Sequence, residues 1–359
     1  MNEARSGHPF HMYDAIRAQP EAFRDVAHHS AAAATDFAAG MDPDGRIFLV
    51  GTGTSYHAAL MGEHLFRLLA AGVRAEAVAA FDFALYGPAL TPADTVVVIS
   101  HRGSKTYSVA SRARAQAAGC RTAMICGQGA PLPDSPPAAV FPTVPQEKSS
   151  AHTVSYTGAV AALSALAAAA GRALGAVPAL ADEALTAAIP DALRRALDQE
   201  LHVAAAAGRH AGCRRIWLAG AGPDAVTATE AALKIKETSY LQAEGMAVES
   251  LLHGPFQCTG PDDLFVAIAS GGPGTERLAG LAEMAADIGA RCLWVGAAAA
   301  PADCVHIPVP EAPEPFHALT ALIPVQLFAY HLALTRGTDP DGFRLGDPRF
   351  ARAGQRARL

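Results

Sequence analysis

The residues whose types and spacing could do chemistry lie in the segment Glu230–Pro255, EAALKIKETSYLQAEGMAVESLLHGP. Glu230, Lys234 and Glu237 follow one another at helical spacing, which places a carboxylate, an ammonium and a second carboxylate in one sector of a helix. A carboxylate can move a proton, and a neighbouring ammonium can stabilise the negative charge that develops. We interpret the row as a candidate acid–base site, although a solvated helix face would place charges in the same way.

One imidazole follows this row. His253 lies downstream of Glu237, and Gly254 and Pro255 end the segment directly behind it. Histidine changes charge near neutral pH, so His253 could shuttle a proton. The alternatives are a histidine that ends a helix and is hydrogen-bonded in the core, and a plain helix ion pair between Lys234 and Glu237.

Two loops rich in glycine and hydroxyl groups form a second candidate set. Gly51–Ser55 (GTGTS) and Ser100–Thr106 (SHRGSKT) each follow a predicted buried strand and open a predicted helix. Exposed N–H groups and the helix dipole make such places favourable for anions, and His101, Arg102 and Lys105 add positive charge. Alternatively, the glycines and serines only form tight turns and helix caps.

The elements that position these residues alternate between apolar strands and helices. Strands are predicted at Arg46–Val50, Thr95–Ser100 and Arg121–Cys126, and a lead-in helix, Met12–His28, is predicted to break near Pro20. Continuous apolar strands that alternate with helices are typical of a parallel sheet covered on both faces.

The same order of elements recurs in the second half. Ile216–Gly222 corresponds to Ile47–Gly53, and Leu264–Ser270 corresponds to the strand before the second loop, at an offset of 169 or 170 positions. A constant offset indicates an internal duplication, with Ala205–Gly212 as the predicted join. The row that starts at Glu230 therefore lies just after a strand, at the edge of a sheet where ligands bind in open α/β folds.

The composition excludes several classes of protein. A chain of 359 residues is long enough for two domains, and its net charge of −6 without a long basic run argues against nucleic-acid binding. Six scattered cysteines without a CxxC pair argue against a metal site or a disulfide framework and favour a cytoplasmic location. No signal peptide is predicted, because the N-terminal sequence MNEARSGHPF lacks an apolar h-region. No membrane span is predicted either, because the apolar run Gly158–Gly171 is too short to cross a bilayer and suits a buried helix better. Neither loop matches a dinucleotide or ATP-binding motif, so no cofactor is expected.

The chain resembles the double sugar-isomerase (SIS) domain family, close in pattern to the isomerase half of glucosamine-6-phosphate synthase. EAALKIKE with the downstream HGP carries the resemblance, together with GTGTSYHAAL, EKSSAHTVSYT and PVQLFAYHLALTRGTDPD, and it covers nearly the whole chain. It implies an α/β fold of two tandem three-layer sandwiches with five-stranded parallel sheets, assembled as a homodimer. The implied divisions are a helical lead-in (1–40), a first SIS domain (41–200), a second SIS domain (205–335) and a C-terminal tail that closes near the active site (336–359).

The resemblance also implies a role for each candidate residue. Glu237 falls at the family's catalytic base, Lys234 at its supporting lysine and Glu230 at a carboxylate one turn earlier. His253 falls at a histidine that assists ring opening and reaches across from the partner subunit. The ligand would be a small sugar phosphate. The implied substrate-binding residues are Thr52, Ser55, Ser100, His101, Arg102, Ser104, Lys105, Ser150 and Ala151.

Two departures from the family pattern affect the expected activity. The family's phosphate loop usually reads Ser-Gln-Ser-Gly-Glu-Thr, whereas Ser100–Lys105 reads SHRGSK and carries two permanent cations. The glutaminase half and the family's C-terminal lysine have no counterpart, so glutamine-dependent synthesis by this chain alone is not expected. The identity of the sugar, and whether a separate glutaminase partner exists, stay open.

The preferred interpretation is an enzyme for aldose–ketose isomerisation of a hexose or aminohexose 6-phosphate, by proton transfer through an enediol. A deaminase or deglycase that releases amine from an amino-sugar 6-phosphate would use the same proton transfer. A non-catalytic sugar-phosphate-binding SIS protein is the third possibility. For all three, we expect the acidic row and the cationic loop to open onto a common cavity.

Overall fold

The computed structural model describes residues 5–176, 179–181 and 183–357. Within these residues the chain forms two compact units, each with one five-stranded parallel sheet, and this confirms the predicted fold class. Of the described residues, the first-sheet unit takes those within 18–147, 154–190 and 354–357, and the second-sheet unit takes those within 5–17, 148–153 and 191–353.

The elements up to the end of the first sheet and its covering helices are as follows. They are α1 (His11–Ala38), β1 (Arg46–Gly51), α2 (Thr54–Leu69), β2 (Arg74–Ala79), α3 (Ala80–Tyr86), β3 (Thr95–Ile99), α4 (Thr106–Ala117), β4 (Arg121–Gln128), β5 (Ala139–Pro145), α5 (Val154–Ala173), a π-helical turn (Ala184–Ala188) and α6 (Ile189–Ala196). The strand order is β2-β1-β3-β4-β5.

The remaining elements build the second sheet and its helices. They are a 3-10 turn (Leu197–Gln199), α7 (Glu200–His210), β6 (Ile216–Gly220), α8 (Pro223–Ser239), β7 (Ala243–Ala247), α9 (Val248–Leu252), a 3-10 turn (Pro255–Cys258), β8 (Leu264–Ala269), α10 (Thr275–Asp287), β9 (Arg291–Gly296), β10 (Cys304–Pro308), α11 (His317–Thr335) and α12 (Pro348–Ala357). The strand order is β10-β9-β8-β6-β7, which matches that of the first sheet when β6 is aligned with β1.

The central strands form the cores of both units. β1, β3, β6 and β8 are buried along nearly their whole length because they are apolar on both faces and helices cover them. Phe48, Phe83 and Val96 lie in the core of the first-sheet unit, and Trp217 and Phe265 lie in that of the second. The sheets therefore hold the loops at their carboxyl ends on rigid supports.

Helix α1 continues through Pro20, so the predicted break there is wrong. Buried residues recur at helical spacing after the proline, including Phe23, Val26 and Phe37. The buried Gln19 side chain accepts a hydrogen bond from the Thr157 hydroxyl. This packing outweighs the single backbone hydrogen bond that a proline removes. The predicted join at 205–212 is also largely helical, since α7 extends to His210.

Two helices among the described residues, α5 and α11, are long and apolar enough to cross a membrane by composition. However, 94% and 83% of the most apolar stretch of each helix, respectively, is buried inside the fold. Burial on this scale is that of core helices, and it confirms the prediction of a buried helix over Gly158–Gly171.

Candidate functional site

Helix α8 positions the acidic row. It begins at Pro223, which suits the first position of a helix, directly after Gly222 with a φ of 55°. It packs on α11 and on the strands β6 and β7. Gly245 in β7 makes this approach possible, because a Cβ there would meet the carbonyl oxygen of Ala228. This close approach holds α8 against the sheet.

The structure brings Glu230, Lys234 and Glu237 together. The Lys234 Nζ lies 2.7 Å from Glu237 Oε2 and 3.4 Å from Glu230 Oε1. The Glu230 and Lys234 side chains are 0% exposed, whereas that of Glu237 is 21% exposed. The row is therefore not a solvated helix face. Glu237 is the member of the row that a ligand can reach.

The C-terminal end of α8 is anchored to the segment after α11. The Thr338 hydroxyl donates to the carbonyl of Thr238 at 2.7 Å. In the same segment, the Asp341 carbonyl accepts a hydrogen bond from the Ser150 N–H at 2.9 Å. Ser150 is half-buried, and Ala151 is fully buried. These bonds tie the predicted sugar-contacting segment to the chain that holds the end of the acidic helix.

His253 lies at the surface of the second-sheet unit. Its side chain is 77% exposed, and its Nε2 is 3.1 Å from the Glu249 carboxylate, which also pairs with Arg277. The alternative of a histidine hydrogen-bonded within the core is therefore wrong. Gly254 follows with a φ of 138°, a conformation open to glycine, and turns the chain into the 3-10 turn.

The first glycine loop connects β1 to α2. Gly51 lacks a side chain where a Cβ would meet the carbonyl of Ser55, so the first turn of α2 can lie against the end of the strand. Gly53 has a φ of 57° at the position before the helix. Thr52 is exposed and Ser55 is half-buried. The hydroxyls stand at a helix N-terminus, as the sequence predicted.

The second loop connects β3 to α4 and carries the cations. Ser100 is 4% exposed, and its hydroxyl has no hydrogen-bond partner among the residues that the structure describes. Arg102, Ser104 and Lys105 are exposed. A buried hydroxyl without a partner is costly, so a ligand oxygen that accepted its hydrogen bond would stabilise the loop.

His101 does not add positive charge to this loop, and that prediction is wrong. Its ring is 8% exposed, and burial lowers the pKa of His101 to about 4, with the nearby Arg102 acting in the same direction. Its Nε2 accepts the Glu147 N–H at 3.1 Å, which requires an unprotonated nitrogen. The imidazole therefore supports the loop as a neutral group, and Arg102 and Lys105 supply the charge.

Sequence reasoning missed Asp224 in the second half. This carboxylate, 1% exposed, accepts hydrogen bonds from the Ser270 N–H at 3.0 Å, from the Ser270 hydroxyl and from the Gly271 backbone. Burial raises the pKa of Asp224 to about 7 with a contribution from Glu314, while the Ser270 and Gly271 donors act in the opposite direction. The offset of 169 positions, which aligns Asp224 with Ser55, is the signal that could have found it.

Replacing Asp224 with asparagine is expected to change how stability depends on pH. Because the folded state keeps the Asp224 proton up to about pH 7, whereas the unfolded chain loses it near the ordinary aspartate pKa of 3.8, the free energy of unfolding should fall as pH rises between those values. Since one pKa unit corresponds to about 1.4 kcal/mol, the fall should amount to a few kcal/mol. Urea unfolding of both proteins from pH 4 to 8 measures it. Parallel profiles for the wild type and Asp224→Asn would contradict the assignment.

No group of three or more metal-ligating side chains occurs within the described part of the chain. The candidate residues themselves supply carboxylates, ammonium groups, hydroxyls, imidazoles and a guanidinium group.

Comparison with known proteins identifies a family and several relatives of this chain. The model of the SIS domain family matches residues 41–169 and 211–336, more than half of the chain. The isomerizing glutamine–fructose-6-phosphate aminotransferase of Thermococcus kodakarensis is 28% identical over 94% of this chain and 57% of its own length. The chain thus spans about half the length of the curated relatives it matches.

Solved structures show the same fold. Tagatose-6-phosphate ketose/aldose isomerase from Escherichia coli superposes with a TM-score of 0.78 at 22% identity, covering 94% of this chain and 96% of that one. Glucosamine-6-phosphate deaminase from Thermotoga maritima superposes with a TM-score of 0.69 at 19% identity, covering 89% and 96%.

Proposed function

The chain belongs to the SIS domain family, and from this we propose that it is an enzyme that interconverts the aldose and ketose forms of a hexose or aminohexose 6-phosphate. The observation that carries the proposal is the row on α8, in which a buried ammonium pairs with a carboxylate that is accessible to a ligand. That the related proteins are named as sugar-phosphate isomerases, aminotransferases and deaminases supports the substrate class.

Glu237 would act as the base. In the open-chain aldose it would take the proton from C2, and the electron pair would form the C1–C2 double bond of an enediolate. Returning that proton to C1, while the proton of the C2 hydroxyl passes to the C1 oxygen and the C2 carbonyl forms, would give the ketose, so one carboxylate serves both transfers between the carbons. Lys234, 2.7 Å from Glu237 Oε2, would stabilise the negative charge of the enediolate, and Glu230 would hold the ammonium from its other side.

The remaining candidate residues would bind and open the sugar. We assign the phosphate to the hydroxyls of Ser55 and Ser100 and to the charges of Arg102 and Lys105, because a phosphate accepts several charge-assisted hydrogen bonds. Thr52, His101, Ser104, Ser150 and Ala151 would line the site. As part of the proposal, the exposed His253 would assist ring opening in the site of a partner subunit, and sedimentation analysis would measure the dimer that this requires.

Proton exchange tests the reaction class before the substrate is known. Hexose and hexosamine phosphates would be incubated with the protein in heavy water, and NMR would follow deuterium entering C1 or C2. We expect exchange into at least one 6-phosphate and none into the matching sugar without phosphate. A protein that binds a sugar phosphate but exchanges no proton with any member of the panel is a binding module, and the isomerase proposal would then be abandoned.

The deaminase or deglycase alternative shares the Glu237 step and is favoured by the fold shared with a deaminase. It differs in its product, because the amine leaves the sugar. Coupled detection of ammonia or amine in the same incubations separates the two reactions.

The cationic loop should control substrate affinity. Arg102→Ala and Lys105→Ala are each expected to raise KM by about 10- to 100-fold, since a hydrogen bond to a charged group contributes about 1.5–3 kcal/mol. The effect on kcat should be smaller, because the phosphate is remote from the proton transfer. Steady-state kinetics at two salt concentrations measures both. Arg67→Ala, which removes an exposed arginine that pairs with Glu63, is the control. Equal KM values for all variants would exclude the loop from phosphate binding.

A further inference from the structure

The loop after β8 has the same place in the second sheet as the phosphate-binding candidate has in the first. β3 and β8 occupy corresponding positions in the two strand orders, and Ser100 and Ser270 directly follow them. The preceding loops also match closely, because Gly53 and Gly222 have φ/ψ values of 57°/−128° and 55°/−126°. Ser55 and Asp224 each lie two residues after these glycines. The corresponding loops of the two halves therefore have the same backbone arrangement.

The loops after β3 and β8 differ in the hydrogen bonds that their serines make. The Ser100 hydroxyl has no partner among the described residues, whereas the Ser270 hydroxyl and N–H both donate to the Asp224 carboxylate. A further donor comes from the Gly271 backbone. These are the kinds of donors that a phosphate oxygen would need. In the second half, the protein's own carboxylate already uses them.

A buried polar side chain without a hydrogen-bond partner also lies near Asp224. His317 is 3% exposed, and neither ring nitrogen has a hydrogen-bond partner within the described part of the chain. The ring lies against the same loop, since a Cβ at Gly271 would be 3.4 Å from His317 Cδ2. The loop thus combines backbone donors, a hydroxyl and an available imidazole beside the N-terminal turn of α8.

We propose that the loop after β8 is a second anion site that the Asp224 carboxylate occupies, so that the chain binds a phosphate group at the loop after β3 and excludes it from the loop after β8. Each N–H or O–H donor here can serve one acceptor, and above about pH 7, where Asp224 is ionised, its carboxylate also repels a phosphate that approaches it. Phosphate binding is therefore to be measured at pH 8. The inference uses the phosphate assignment of the proposed function for the first loop only.

Equilibrium dialysis with inorganic phosphate tests the inference by counting bound phosphate per chain. The wild type should bind one. Asp224→Ser, which installs the residue found at the matching position of the first half, should bind two. Adding Ser100→Ala should weaken the first site by about 10-fold or more, the effect of one lost hydrogen bond to a charged group, and leave the second unchanged. A folded Asp224→Ser chain that binds only one phosphate overturns the inference.

The opposite substitution, a carboxylate placed in the first half, tests the inference if Asp224→Ser does not fold. Ser55→Asp places a carboxylate in the first turn of α2, where acidic residues are favourable, so this chain should fold. It should bind phosphate at least about 10-fold more weakly than Ser55→Ala, which loses the hydroxyl alone. Equal affinities for these two variants would overturn the inference. If the wild type binds no phosphate and Asp224→Ser binds one, the phosphate assignment for the loop after β3 fails, whereas the inference about the loop after β8 stands.

Discussion

Replacing Glu237 with glutamine is expected to lower kcat by about 10²- to 10⁴-fold and to leave substrate binding nearly unchanged. Glutamine keeps the size of the side chain but cannot accept the C2 proton, and general base catalysis contributes a factor of this order. The glutamine amide oxygen can still accept a hydrogen bond from Lys234, and Glu230 still pairs with that buried ammonium, so α8 should keep its structure. Turnover of the sugar phosphate and its binding by calorimetry measure the two quantities separately.

Glu244→Gln is the matched control for this result. Glu244 is an exposed carboxylate on β7 of the same unit, and its loss should alter neither quantity. Turnover of Glu237→Gln at the rate of the control would remove Glu237 from the mechanism. A sensor protein would show no turnover in either form.

Replacing Lys234 with methionine is expected to lower the free energy of unfolding by about 3–5 kcal/mol. The ammonium is completely buried and lies 3.4 Å from the equally buried Glu230 carboxylate. Methionine fills similar space but leaves that carboxylate without its cation, and breaking one side of a buried ion pair has a cost of this size. Urea unfolding with equilibrium detection measures the loss. Activity should fall as well, since the charge on the enediolate would lose its stabilising group.

Two further variants identify the cause of this destabilisation. Lys236→Met removes an exposed lysine from the same helix and should change stability by no more than about 0.5 kcal/mol. The double variant Glu230→Gln/Lys234→Met removes both buried charges and should recover most of the stability. If Lys234→Met unfolds at the same urea concentration as Lys236→Met, the buried Glu230 carboxylate does not depend on Lys234 for its stability, and this prediction fails.

The fold was predictable wherever the strands are apolar on both faces. β1, β3, β4, β6 and β8 are all foreseen from continuous apolar runs followed by turns. The edge strand β2, RAEAVA, is not foreseen, because one of its faces is exposed and polar residues interrupt its apolar pattern. β5 contains Pro142, which the sheet accepts because this strand lies at an edge.

The site was predictable where helical spacing decides it, as in the row from Glu230 to Glu237. Burial and protonation were not, since they depend on distant parts of the chain. His101 is neutral because it is buried and because the N–H of Glu147, 46 residues away, bonds its ring. Glu147 itself caps α5, accepting the Val154 N–H at 2.8 Å and the Ser155 hydroxyl at 2.8 Å. No local pattern in the sequence indicates such pairings.

The apolar character of α5 and α11 has a consequence for biosynthesis. Each of these helices would be poorly soluble on leaving the ribosome, since both are as hydrophobic as a membrane span. α5 packs on α2 and β5, and α11 packs on α7 and α8, all of which precede it along the chain. Because translation proceeds from the N-terminus, each helix emerges when these packing partners have already been made. The chain order therefore shortens the time during which either helix is open to aggregation.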